Sequence, residues 1–329
     1  MDRVGLALVL VSAAGFGTLG VLGELAAAAG LSIPTVLAFR FLLATLVVWL
    51  VLGARGDLRP LRGRALAAGI ALGAVGYAAM SGLFFWGLTF MTAGLVGIVL
   101  YTYPVFVVGA AAVRLGEPVT RRTVASLGGA LAGVALVTGA DPAGADPRGV
   151  AVVLAAAVVY AAYITASRMT LATVDPQVLT AHVLPAAAVS FFVFGTATGR
   201  LSTPATGYEW GIVAAIAVVA TAVPIFAFFA GLRRIGASEA SIVSTVEPVV
   251  TLLLGAAVLG EPITAATVVG VRSSSAGSCW SRPVRSRDSR LYALAQPFPG
   301  SRAGGPLRPA SDRAKRPRRV GPAFWFKRS

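Results

Sequence analysis

LGEPVT at Leu115–Thr120 and LGEPIT at Leu259–Thr264 are one hexapeptide written twice, at a spacing of 144 residues. Working outward in that register, Pro104 falls on Pro248, Ile98 on Ile242 and Val99 on Val243. Further back, Gly5 falls on Gly149, Ala7 on Ala151 and Leu10 on Leu154. With a small shift, VLAFR (Val36–Arg40) meets VLTAH (Val178–His182), which sets Arg40 against His182, the only histidine. Self-similarity at a fixed period marks duplication. The chain therefore predicts two like halves, residues 1–139 and 148–270, followed by an unlike stretch, residues 271–329.

Composition says what the halves are made of. Of 329 residues, 57% are hydrophobic and 12% charged, against about 45–50% and about 25% in soluble domains. That excludes a disordered chain. Cys279 is the one cysteine, so no internal disulfide can form. The net charge of +15 suggests nucleic acid until it is split by position. Residues 1–270 carry 14 Arg and 11 acidic groups, whereas residues 271–329 carry 14 basic and 2 acidic ones. The basicity belongs to the tail, and no nucleic-acid partner is expected.

A spanning helix needs about 20 mostly apolar residues. Runs of that kind lie near Val4–Ala29, Ile33–Leu52, Ala65–Phe90, Ala93–Val113, Val124–Gly139, Gly149–Ser167, Val178–Gly195, Gly211–Gly231 and Ala240–Leu259. A tenth begins at Thr264 and stops at Arg272. The first run is longer than a signal-peptide core of about 7–15 residues, so it reads as an uncleaved first helix. With the N-terminus inside, eleven arginines fall in inner segments and only Arg148 and Arg200 in outer loops. This is the positive-inside asymmetry of a multi-pass protein in the cell membrane. Five helices per half is an odd number, so the halves lie inverted. The expected fold is all-α and integral to the membrane, with two inverted five-helix repeats and a disrupted tenth helix. Inverted repeats underlie alternating access in secondary transporters.

The paired LGEP ends, Pro104 and Pro248 within the fourth and ninth helices, and Glu-Pro-Val at Glu247–Val249 resemble the EamA-type drug/metabolite transporter superfamily. The resemblance covers about residues 1–270, in two copies. It implies a ten-helix carrier that moves amino acids, other small metabolites or related solutes.

Ionisable groups inside a bilayer are costly and mark candidate sites. Glu24 and Arg40 each lie about six residues from the same membrane surface, or ~9 Å deep at ~1.5 Å per residue. They are either a structural ion pair or, for Arg40, a planar fork for a substrate carboxylate or phosphate. Glu247 precedes Pro248, which leaves a carbonyl one turn back without its donor and opens a polar spot at membrane depth. Its carboxylate either relays a proton or stays neutral and bonded to that backbone. Its counterpart Tyr103 is neutral, so coupling would be asymmetric between halves. His182 is either a packed imidazole or a relay. Glu117 and Glu261, in the LGEP turns, read as helix caps with Pro at the first helical position. Tyr77, Trp86, Tyr101, Tyr103, Tyr160 and Tyr163 supply rings and hydroxyls for a cavity wall.

By the repeat, Thr267 onward should match TVASLGGALAGVALVTG (Thr123–Gly139), yet it reads TVVGVRSSSAGSCWSRP and then turns basic and proline-rich. A shift of reading frame near Gly270 explains this. Serines coded TCN, read one base earlier, become Phe, Leu, Ile or Val, while Cys279 and Trp280 become Leu, Met or Val. The restored string is close to the missing helix. The rival reading is an authentic basic tail that binds anionic lipid or nucleic acid; its mixture of Pro, Gly, Ser and Arg reads as disordered. Sequencing the DNA across codons 265–290 is expected to find one base missing or extra; a confirmed frame would leave nine helices and the tail outside.

The leading function is thus a secondary carrier of small organic solutes, embedded in the lipid bilayer and driven by protons or exchange. The alternatives are a defective carrier product, or an intramembrane enzyme. For the latter, residues 1–270 offer one His, no Cys and no acidic pair at metal-ligand spacing. No Lys precedes Lys315, so no phosphate-gripping Walker lysine exists. No cofactor and no metal are expected.

Overall fold

The computed structural model describes residues 2–91, 93–138 and 145–259. Nine helices fill these residues in chain order. They are α1 (Arg3–Ala28), α2 (Ile33–Ala54), α3 (Gly63–Gly87), α4 (Ala93–Leu100 and Tyr103–Leu115) and α5 (Arg121–Thr138). After them come α6 (Pro147–Thr170), α7 (Pro176–Ala197), α8 (Gly207–Ile235) and α9 (Ala237–Ser244, then Glu247–Leu254 running into Gly255–Leu259). All but α5 are long and apolar enough to cross a membrane. Nine such spans were expected. Among the described residues α5 falls short: its 18 residues open with Arg121 and Arg122, which dilute its apolar content. The disrupted tenth run and the basic tail lie outside the described residues, as does Glu261.

Local chemistry sets the helix starts. Asp2 caps α1, its carboxylate accepting from the amides of Val4 at 2.9 Å and Gly5 at 3.1 Å. Ser32 caps α2 and Asp146 caps α6, each just ahead of a proline in the first turn. Thr206 and Glu209 form a reciprocal capping box at the start of α8, with Glu209 accepting from Ala205 at 2.7 Å.

Lipid is as apolar as leucine, so helix association rests on close packing of small residues and on hydrogen bonds. α2 lies along α7, α1 along α8, and α4 and α3 pack on α6. At Gly73 the approach is so close that a Cβ would collide with the Val183 carbonyl oxygen. Here α3 winds as a π-helix over Leu72–Tyr77, and α8 does the same over Val218–Ala222. Such widened turns release backbone groups, and side chains recover some of them. Thr221 donates to the Ile216 carbonyl at 2.9 Å, and Ser190 of α7 donates to the Ala74 carbonyl at 3.2 Å.

Polar ties identify the two faces of the bundle. Arg234 at the end of α8 pairs with Asp2 at 3.0 Å, and Arg233 pairs with Asp175, ahead of α7, at 2.7 Å. The Gly5 amide and then Arg234 hold the Asp2 carboxyl below the ordinary carboxylate range. Leu61, in the α2–α3 loop, donates its amide to His182 of α7. These contacts gather the starts of α1, α7 and α9 and the ends of α2, α6 and α8 onto one side, hereafter the N-terminal face. On the opposite face, Ser32 donates to the Arg200 carbonyl at 2.6 Å and the Ser202 amide donates to Thr35 at 2.9 Å.

Candidate functional site

Two helices are interrupted inside the bundle, each just ahead of a proline. α4 breaks at Tyr101–Thr102 before Pro104, and α9 breaks at Thr245–Val246 before Pro248. The two breaks keep the register of the repeated hexapeptide. Proline cannot donate to the preceding turn, and each second segment begins as a new helix with proline in its first turn. Below the breaks, Tyr103–Leu115 packs against Ala237–Ser244. Above them, Ala93–Leu100 and Glu247–Leu254 make little contact with each other.

A cavity of about 610 Å³ fills the resulting gap. Its wall comes from Phe16 and Leu19 of α1, Leu37 and Arg40 of α2, and Tyr77 to Phe85 of α3. Gly97 to Tyr103 of α4, Tyr160 of α6, and Glu247, Pro248, Thr251 and Leu252 of α9 complete it. Every one of these lies at the breaks or on the side of the opposite face. No residue of Pro104–Leu115 or Ala237–Ser244 takes part.

Two ionisable side chains reach this cavity from different helices. Arg40 is only 4% exposed, and its Nε has no hydrogen-bond partner. Its guanidinium stands 4.7 Å from the centre of the Phe41 ring, a cation–π distance, and interacts with the Tyr77 hydroxyl. Glu247 is half-buried at the start of its helix segment, facing Tyr101. Arg40 and Glu247 form no ion pair with one another. Between them runs a series of rings: Tyr101 to Tyr103 at 6.2 Å, Tyr103 to Tyr160 at 4.6 Å, and Tyr160 to Tyr163 at 6.1 Å. It continues from Tyr163 to Tyr77 at 5.8 Å and from Tyr77 to Phe41 at 5.0 Å. The Tyr103 hydroxyl donates to the Ser241 carbonyl at 3.3 Å, which fixes the ring beneath the cavity.

The structure thus brings Arg40, Tyr101, Tyr103, Glu247 and Pro248 to one place, with Tyr77 and Tyr160. Other candidates stand elsewhere. Glu24 is exposed and forms no ion pair with Arg40, because depth alone does not fix which side of α1 it occupies. Pro104 is buried under the break rather than in the wall. Trp86 is exposed, with its ring 6.2 Å from Phe90. His182 uses both ring nitrogens: Nδ1 bonds the Val178 carbonyl at 2.8 Å and Nε2 accepts the Leu61 amide at 3.1 Å. Both nitrogens are thus engaged with backbone groups, with Nε2 as acceptor. Ser81, Met80, Phe84 and Thr251 line the wall without having been singled out in the sequence. Nothing distinguishes them there from the other residues of apolar helices.

Glu117 is a cap, but not of the expected helix. Pro118 is not helical; α5 starts at Arg121, after Thr120 and Thr123 have bonded each other at 2.9 Å. The Glu117 carboxylate instead accepts from the amides of Ala237 at 2.8 Å and Ser238 at 2.9 Å, the first donors of α9. Gly236 makes this possible: its φ is +86°, and a Cβ there would lie 2.8 Å from Glu117 Oε1.

Comparison with known proteins agrees with this architecture. A crystal structure aligns with 89% of this chain and 99% of its own at a TM-score of 0.71, with 22% identity, which is a likeness of fold. The uncharacterized transporter YcbK of Bacillus subtilis (strain 168) is 32% identical over 97 residues. That match spans 28% of this chain and about a third of the relative (31%). The EamA-like transporter family matches residues 3–139 and again residues 147–281. With its apolar helices and a match in both halves, this chain is a multi-pass membrane protein that belongs to the EamA-like transporter family.

Proposed function

We propose that the protein is a secondary carrier of a small organic solute, an amino acid or a related metabolite, working by alternating access. The observation that carries this reading is the cavity between the split helices, where Arg40 and Glu247 face the same space without pairing. Two ionisable groups kept apart at membrane depth are costly to bury unless something comes between or beside them. A solute with a carboxylate suits the guanidinium, while Glu247 stands in the same space, placed to take up and release a proton. The ring series supplies contact area for the rest of the molecule. Residues 1–139 and 148–270 act as the two inverted halves. The helix breaks, 144 positions apart like the LGEP hexapeptides, support that pairing. The protein sits in the cell membrane with its N-terminus cytoplasmic, in keeping with the arginine asymmetry. Transport is driven by proton coupling or by exchange.

Counterflow in proteoliposomes tests the reading. Vesicles loaded with unlabelled amino acids are expected to take up labelled solute transiently and saturably, above protein-free vesicles. Absence of saturable exchange across a panel of amino acids and small carboxylates would rule out the carrier and return attention to an intramembrane enzyme.

A further inference from the structure

We infer that the Glu117 carboxylate is the latch that holds the N-terminal face closed, joining the end of α4 to the start of α9. The inference rests on the carrier reading and adds a positioning residue to it. α4 and α9 are both broken beside the cavity. On the N-terminal face their halves pack together, with Val108 against Ile242; on the other side they splay around the cavity. The two helices belong to different repeats, so opening the N-terminal face means parting Tyr103–Leu115 from Ala237–Ser244. Within that seam the Tyr103 hydroxyl bonds the Ser241 carbonyl at 3.3 Å, a long contact between neutral groups. Glu117 makes two shorter, charge-assisted bonds, at 2.8 and 2.9 Å, to amides that no carbonyl of α9 can satisfy.

The latch is built to release. Glu117 is not on α9 but reaches it from the turn after α4, 120 residues away in sequence. When α4 moves off, the amides of Ala237 and Ser238 meet water at the membrane surface, and so does the carboxylate. Both states are therefore satisfied, and the cost of switching is small enough for a cycle. A cap on its own helix would not respond to the motion. Gly236 sets the bearing of the amides, and a Cβ at position 236 would lie 2.8 Å from Glu117 Oε1, so the end of the carboxylate would have to shift.

Thiol labelling of the full-length protein tests this. Cys279 is first replaced by Ser, and reporters are introduced singly: Val108→Cys in the seam and Ser81→Cys in the cavity. A membrane-impermeant maleimide is applied from each side of oriented vesicles. Glu117→Gln is expected to raise labelling of the seam reporter from the N-terminal face about fivefold or more, and to lower labelling of the cavity reporter from the other face. Gly236→Ala, which pushes the carboxylate away, should shift both rates the same way. Glu117→Asp, which keeps the charge on a shorter stem, should fall between Glu117→Gln and the parent. Unchanged rates in Glu117→Gln and Gly236→Ala would overturn the latch. So would rates that rise together at both reporters, since that is loosening and not a shift between two states. Counterflow by the parent protein is measured alongside. Its absence counts against the carrier, whereas unchanged labelling in a parent that exchanges solute counts against Glu117 alone.

Discussion

Arg40→Gln is expected to lower the initial rate of carboxylate-solute uptake about 10²-fold while leaving the fold at least as stable as the parent. The two effects separate because Arg40 is buried and forms no ion pair among the described residues. Its surroundings are the Phe41 face, the Tyr77 hydroxyl and an Nε with no acceptor, none of which neutralises a full charge. Truncating one partner of a desolvated charge pair costs about 2–5 kcal/mol of binding, and each ~1.4 kcal/mol is tenfold. Folding, by contrast, is relieved of an ion that is expensive to bury alone. Arg40→Lys keeps the charge but loses the planar fork, so it should retain some uptake with weaker affinity. Initial rates in proteoliposomes and thermal unfolding in detergent measure the two arms. Unchanged uptake in Arg40→Gln would remove Arg40 from the site. A large loss of thermal stability would make it a structural residue instead.

How much of this is written locally in the sequence differs from residue to residue. Arg40 and Glu247 stand out because charge at membrane depth is rare, whatever direction it faces. The breaks in α4 and α9 are legible from Pro104 and Pro248, since proline acts through the backbone of its own turn. Glu24 shows what is lost: its depth follows from counting residues, but its side of α1 does not. A helix that is apolar all round has no polar face to report its rotation. The same blindness hides Ser81 and Thr251, two ordinary small polar residues until α3 and α9 are placed. The π-wound stretches of α3 and α8 carry no residue signature that sets them apart in the sequence. Glu117 is the sharpest case. Its turn is the most recognisable motif in the chain, yet its partners lie 120 and 121 residues on, and only tertiary structure brings them to it.

Glu247→Gln is expected to abolish accumulation driven by a pH gradient while leaving counterflow exchange intact. Glu247 faces the cavity at the first position of its helix segment, with Tyr101 opposite and Pro248 behind. A carboxylate there can trade its proton with whichever compartment the cavity meets. Glutamine keeps the size and the hydrogen-bonding oxygen but is fixed in the neutral form. Exchange needs only that the loaded carrier cross in both directions, so it survives; net uptake against a gradient needs the proton, so it fails. One pH unit across the membrane is about 1.4 kcal/mol per proton, which sets about tenfold accumulation for one proton per solute. The parent should approach that ratio and Glu247→Gln should stay near unity, with Glu247→Asp in between. The other candidate relay, His182, has both nitrogens engaged by Val178 and Leu61, so it offers no second route. Tenfold accumulation persisting in Glu247→Gln would therefore end the proton role of Glu247. Loss of counterflow in the same variant would place Glu247 in solute binding rather than coupling.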